Sequence, residues 1–190
     1  MKKIVLKASL ITVGALAAAG ILIFSLWILI SPQSMATVSE KLGNYDFAVT
    51  CANLKYKYSD KTEDLARCAE DSILSGKDKL IIKYCEQLKD ADDFDGLCIQ
   101  RNEELKKTQF GKYAANYKTY ILGNLAVAQY REGDLRKAVQ TAERGEVGCF
   151  NKLVIEIILN GSAADKENIL TYPERSESVE HIQKILNSQR

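Results

Sequence analysis

Two contrasting patterns of polar and apolar residues divide the chain. No Asp, Glu, Lys or Arg occurs between Ala8 and Ser39, and the first acid is Glu40. Beyond that point apolar residues recur at i, i+3, i+4 and i+7 among charged ones, which is the spacing of amphipathic helices. The pattern predicts an all-α protein with a basic leader at 1–7, a transmembrane helix at 8–30 and a helical domain at 31–190.

The apolar run from Ala8 to Ile30 is typical of a membrane anchor. At ~1.5 Å per residue it is about 34 Å long as a helix, and a bilayer's hydrocarbon core is ~30 Å thick. Trp27 near its far end fits an aromatic interface position, and Lys2, Lys3 and Lys7 precede the run. By the positive-inside rule we expect a single-pass protein of the cell membrane, with its N-terminus cytoplasmic and its C-terminal domain outside the cytoplasm.

A cleaved signal peptide is the alternative interpretation of this segment. Its basic start is the same, and Ser34-Met35-Ala36 offers a small-x-small cleavage site. Signal peptides, however, have apolar regions of only ~7–15 residues, which is shorter than this run. The anchor is therefore favoured.

The helical domain at 31–190, which we call the body, contains a series of short helices separated by turn residues. Helix starts and stops follow from capping residues, glycines and prolines. A capping box is predicted at 60–63, where Asp60 takes the Ser/Thr role. The predicted helices are 32–43, 44–58, one from 60 that stops at Gly76, 77–89, one carrying Leu97 and Leu105, 112–131, 134–144, 147–160, and one after Pro173.

The turns also show a repeating arrangement. Glycines that end helices recur about every 34 residues, at 43, 76, 111 and 145, which is close to the period of a two-helix repeat. Two segments share small residues around a Gly-Asp or Gly-Asn turn: Leu125-Ala126-x-Ala128-x-Tyr130-x-x-Gly133-Asp134-Leu135-x-x-Ala138-Val139 and Gly43-Asn44-Tyr45-Asp46-x-Ala48-Val49.

These segments resemble the tetratricopeptide (TPR) family of helical repeats. The resemblance implies a TPR-like array of three to five antiparallel helical hairpins whose concave face binds a protein partner. A non-repetitive helical bundle is the alternative that the same residues allow.

Composition and motifs argue against several kinds of chemistry. The 26 basic and 25 acidic residues give a net charge of +1, which does not suit a nucleic-acid binder. His181 is the only histidine, and neither a P-loop nor GxGxxG occurs. The acidic run before Gly96 fails as an EF-hand, because Ala91 and Asn102 fall where its first and last ligands belong. We expect no catalytic residue, no cofactor, no metal and no small-molecule substrate.

Four tyrosines are the candidate partner-binding residues. Tyr113, Tyr117 and Tyr120 fall at i, i+4 and i+7, and Tyr130 follows further along. A tyrosine-lined face could hold a peptide, as the TPR resemblance implies, although residues at this spacing also occur as core packing. The helices around these tyrosines are also locally basic, and we expect their charged side chains to lie on a solvated helix face.

Cysteines are the second feature that the spacing singles out. Cys51, Cys68 and Cys85 stand at equal intervals, Cys98 follows, and each neighbouring pair is nearly equidistant from the turn between its helices. In antiparallel hairpins this predicts one layer of four cysteines. They either fill the core as free thiols or form bridges such as Cys51–Cys68 and Cys85–Cys98. Cys149 is expected to be free.

The predicted function is that of a membrane-tethered interaction module. A helical-repeat scaffold or adaptor at the cell envelope would bind an unidentified protein partner and no nucleic acid. A secreted or processed hydrolase and a purely structural bitopic protein are the alternatives, and the sequence supplies no nucleophile motif for the hydrolase.

Overall fold

The fold was analysed in a computed structural model, which describes residues 2–106, 116–145, 147–170 and 176–188. Within these residues all regular structure is helical and no strand occurs. The all-α prediction is therefore confirmed at this level. The helices are α1 Lys2–Ile30, α2 Pro32–Lys41, α3 Tyr45–Ser59, α4 Thr62–Ser75, α5 Asp78–Lys89, α6 Phe94–Lys106, α7 Tyr117–Arg131, α8 Leu135–Arg144, α9 Val147–Asn160, α10 Ala163–Leu170 and α11 Ser176–Ser188.

The leader and the apolar run form one continuous helix, α1. No residue of Val13–Ile30 is buried, and this segment is long and apolar enough to cross a membrane. Only Ser31 separates α1 from α2, which begins with Pro32 at its first position, where a missing backbone N–H costs nothing.

The α2–α3 turn forms as its residues predict. Gly43 has φ +71°, a left-handed conformation that glycine adopts without a steric cost. The side chain of Asn44 then accepts a hydrogen bond from the backbone N–H of Phe47 and so caps α3. The chain reverses, and α2 and α3 pack side by side.

The capping box predicted at 60–63 is wrong. Asp60 ends α3 in the left-handed conformation, with φ 53°, and its N–H donates to the carbonyl of Tyr56. Lys61 is the N-cap residue of α4 and makes no side-chain capping bond. The helix is oriented instead by packing, because Leu65, Ala66, Cys68 and Ala69 are all buried.

The later turns also follow the sequence, with one helix missed. Gly133 has φ +92° and Asp134 caps α8 by accepting from the N–H of Lys137, so the Gly-Asp segment forms a helical hairpin. α7 begins at Tyr117 within the described residues, and the predicted Gly111 and Pro173 lie outside them. The sequence analysis did not predict α10, an eight-residue helix after the Asn160-Gly161 stop.

Most of the body shares one hydrophobic core. α4, α5, α7 and α9 contribute its largest part, and α7 packs against α5, α8 and α9. A second, small cluster joins the body to α1 and consists of Met35, Ala36 and Cys51 with Ile28 and Phe47 against them. Two turns thus match the predicted hairpins, while the TPR-like arrangement as a whole stays a prediction.

Candidate functional site

The predicted tyrosines do not share one open face. Tyr113 lies outside the described residues. Tyr117 is only 4% exposed, and its hydroxyl donates to Oε1 of Glu70 at 2.7 Å. Burial and the Glu70 carboxylate both raise the pKa of Tyr117. Tyr117 is therefore a core residue in this conformation.

Tyr120 and Tyr130 are half-buried. Tyr120 packs on Tyr117 with ring centroids 6.3 Å apart, and burial raises the pKa of Tyr120 to about 12. The hydroxyl of Tyr130 donates to Asp165 of α10 at 3.2 Å. Both rings make contacts within the chain, and the predicted role of these tyrosines in partner binding stays a prediction.

The five cysteines are all buried, and no disulfide joins any of them in the structure. Cys68, Cys85 and Cys98 lie in the main core, whereas Cys51 lies in the small cluster beside α1. Burial raises the pKa of Cys68 and of Cys85 to about 12 and that of Cys98 to about 11. Thiols with these values are poor nucleophiles and poor metal ligands at neutral pH. Their arrangement as one layer stays a prediction.

A buried acid in α4 is a feature that the sequence analysis missed. Asp71 is 2% exposed, and the carboxylate of Glu40 lies near it. Arg67 donates from Nη2 to Oε1 of Glu40 at 2.6 Å and to the hydroxyl of Thr37 at 2.7 Å. Burial, and then Glu40, raises the pKa of Asp71 from 3.8 to about 7, despite the opposing effect of Arg67.

A second polar network joins α5, α7 and α8. Gln129 is 1% exposed; its amide nitrogen donates to Glu86 at 2.8 Å, and its oxygen accepts from the hydroxyl of Thr141 at 2.7 Å. Lys137 pairs with the same Glu86 oxygen at 2.6 Å. Burial alone would raise the pKa of Glu86, but the bonds from Lys137 and Gln129 lower it. A fully bonded buried amide holds its neighbours in one arrangement, so α8 is fixed relative to α5 and α7.

Two open clefts adjoin on the outer face of α8. The first has a volume of about 550 Å³ and an apolar floor made by Leu135, Val139 and Ile169, with Arg136 at its edge. The second has a volume of about 480 Å³ and is lined mainly by polar and charged side chains, namely Lys89, Lys137, Gln140, Thr141, Glu143 and Arg144. We call the two together the α8 cleft.

The α8 cleft combines apolar and charged side chains. Gln140 and Glu143 line both parts, so an apolar floor is continuous with a rim that carries several cations. The sequence contained a signal for it, because Leu135 and Val139 are one turn apart and Arg136, Lys137 and Arg144 lie around them. From the sequence alone, that pattern suggests only a solvated helix. The cleft becomes evident once the structure places Ile169 of α10 beside it.

The described residues were compared with the ligand sets of metal ions and with known proteins. No group of three or more His, Cys, Asp or Glu in that part of the chain could hold a metal ion, and His181 is exposed on α11. No family model, curated protein or solved structure matches the chain. Function must therefore be argued from this protein's own residues.

Proposed function

We propose that this protein is a membrane-tethered helical interaction module that binds a protein partner in its α8 cleft. The observation that carries the proposal is a cleft whose apolar floor consists of the partly exposed Leu135 and Val139 above the buried Ile169, beside a rim in which cations outnumber the one acid, Glu143. α1 supplies the anchor, and the body lies outside the cytoplasm at the cell envelope. The TPR-like hairpins act as the scaffold that presents the cleft.

The chemistry of the α8 cleft favours a partner segment with apolar and acidic residues. Two or three apolar side chains would replace water over Leu135 and Val139, and neighbouring carboxylates would face Arg136 and Arg144. Lys137 already pairs with Glu86, so it contributes less to an incoming acid. Charge complementarity of this kind mainly raises the association rate and selects the partner.

The α8 side of the cleft is held in place by buried hydrogen bonds. The bonds of Gln129 to Glu86 and Thr141 lie beneath α8 and fix it before a partner arrives. A preformed surface avoids the entropy cost of ordering side chains on binding. This supports a binding module over a flexible linker.

Site-specific photocrosslinking in intact cells tests the proposal. A photoreactive residue in place of Val139 should give an adduct with a specific partner, and the same residue in place of Ile99 should not. Ile99 is the matched control, since it is apolar and 67% exposed on α6. The R136E/R144E variant should weaken the Val139 adduct, whereas K79E, an exposed change on α5, should leave it intact.

Two outcomes would contradict the proposal. Equal adducts from positions 139 and 99, or an adduct unaffected by R136E/R144E, would mean that the α8 cleft does not select the partner.

A reporter fused after Arg190 tests the membrane topology separately. Activity of a cytoplasm-only reporter, with no signal from an export-dependent one, would place the body on the other side of the membrane.

A further inference from the structure

The length of α1 exceeds what the hydrocarbon core of a bilayer requires. Its 29 residues extend over about 42 Å, which matches the ~40–45 Å thickness of a bilayer with both headgroup layers. With its lysine-bearing end in the inner headgroup layer, the last two turns of α1 extend from the outer edge of the hydrocarbon core through the outer headgroup layer. Phe24, Trp27 and Ile30 belong to these turns, at a depth where aromatic residues are common.

The body is packed against these same turns. The ring of Phe47, in the first turn of α3, stacks on Phe24 with centroids 6.2 Å apart and planes 14° apart. Ile28 and Phe47 both pack on the cluster of Met35, Ala36 and Cys51. Phe24 precedes α2 and Phe47 follows the α2–α3 turn, so their contact requires the chain to bend at Ser31 and bring the start of α3 beside the last turns of α1. The α2–α3 turn therefore points towards the bilayer.

A second turn lies at the same end of the body. Short turns reverse the chain between α2 and α3 and between α3 and α4, so α4 runs in the same direction as α2, and Arg67 of α4 reaches across to bond Thr37 and Glu40. The ion pair of Lys77 with Asp46, at 2.6 Å, brings the start of α5 to the start of α3. We call residues 42–44 and 74–77 together the membrane-facing end.

The membrane-facing end exposes apolar side chains beside lysines. Leu42 is 78% exposed and Leu74 is 53% exposed, which are high values for leucines in turn regions of a folded domain. Lys41 is exposed next to Leu42, and the Lys77 side chain is 58% exposed near Leu74. Apolar residues flanked by lysines suit the boundary between acyl chains and phosphates.

We propose that the membrane-facing end lies on the outer surface of the bilayer, with Leu42 and Leu74 inserted among the lipids and Lys41 near the phosphates, while Lys77 stays paired with Asp46. Lipid surrounds α1 at the depth where Phe47 stacks on Phe24, so the turn next to Phe47 continues the lipid-facing surface of α1. The body is thus seated on the membrane in one orientation and does not swing freely on a tether. The inference rests on the anchor assumed in the proposed function.

Depth-dependent quenching of tryptophan tests this orientation, because Trp27 is the only tryptophan in the chain. The full-length W27F protein, carrying L42W or L74W, is reconstituted in phosphatidylcholine vesicles with brominated acyl chains. Y58W is the matched control, because Tyr58 is 70% exposed on α3 about 16 Å beyond Phe47. Far-UV circular dichroism establishes that each variant retains its helical content.

The expected result separates the two ends of the body. Bromolipid should quench L42W and L74W at least about twofold more than Y58W, while aqueous iodide should quench mainly Y58W. Iodide access to L42W and L74W equal to that of Y58W would overturn the proposal. Protection of L42W and L74W from iodide without bromolipid quenching would also overturn it, in favour of a protein contact such as a second copy.

The wild-type protein distinguishes failure of the orientation from failure of the anchor. Bromolipid should quench Trp27 whenever α1 spans the bilayer. If Trp27 is quenched and L42W is not, the anchor stands and the proposed seating is wrong. If neither is quenched, the membrane anchor of the proposed function is wrong as well.

Discussion

Replacement of the buried acid Asp71 by Asn should stabilise the protein at neutral and alkaline pH. Asp71 is 2% exposed, and Glu40 lies near it. Burial, and then Glu40, raises the pKa of Asp71 from 3.8 to about 7 in the folded state. The folded protein therefore holds this proton between about pH 4 and pH 7, and the unfolded chain does not. Stability falls as the pH rises through that window.

The size of the effect follows from the shift. One pKa unit corresponds to ~1.4 kcal/mol, so an ionised Asp71 costs roughly 4 kcal/mol above pH 7. Asn is nearly isosteric and uncharged, but its buried amide still needs partners, so we expect a gain of about 2–4 kcal/mol. For a domain of this size that gain raises the melting temperature by about 4–16 °C at pH 8. Near pH 4 the gain should vanish, since wild-type Asp71 is then protonated.

Thermal unfolding of the full-length protein in detergent, followed by circular dichroism at pH 4, 6 and 8, measures this difference. D92N is the matched control, because Asp92 is exposed in the α5–α6 turn, and it should leave the melting temperature unchanged at every pH. A D71N protein that melts below wild type at pH 8 would refute the reasoning. It would mean that Arg67 stabilises the ionised acid by more than burial and Glu40 disfavour it.

Two further predictions concern close packing in the body. The five buried thiols should resist modification by a maleimide at pH 8 in the folded protein, and all five should react in urea. Mass spectrometry counts the modified thiols. Rapid labelling of Cys85 in the folded protein would show that the core opens. G161A should lower the stability by about 1–3 kcal/mol, because the new Cβ would lie 2.5 Å from the carbonyl oxygen of Ile157 and 2.6 Å from the hydroxyl of Tyr130. The control is G96A on α6, where a new Cβ would meet nothing within 4 Å, and it should be neutral or stabilising in thermal melts. A G161A protein as stable as G96A would contradict the close packing around Gly161.

Local sequence signals predict the helices and most of their ends. Gly43-Asn44 and Gly133-Asp134 act within a few residues, since a left-handed glycine and a capping side chain are enough to end one helix and begin the next. Asp60 departs from its pattern because it adopts the left-handed conformation at the end of α3, which leaves its side chain out of the capping position. A short polar residue tolerates either role, and the sequence does not choose between them.

Features that depend on distant residues could not be predicted. Tyr117 is buried because Glu70, on a helix far away in sequence, accepts its hydroxyl. Asp71 stands on the buried side of α4 with Glu40 near it, an arrangement set by how α2 and α4 both pack against α3. The α8 cleft needs Ile169 from α10, a helix whose weak apolar pattern gave no signal. Such sites are properties of packing between helices.

The position of Ala36 bears on the order of events when the protein is made. Ser34-Met35-Ala36 would be the cleavage site of a signal peptide, yet Ala36 is fully buried in the middle of α2. A signal peptidase needs an extended, accessible segment, so it could cut only before α2 forms. A cut chain would then lack Met35 and Ala36 and leave Cys51 and Phe47 uncovered. A newly made chain can therefore either be cut after Ala36 or form the complete α2–α3 hairpin, but not both.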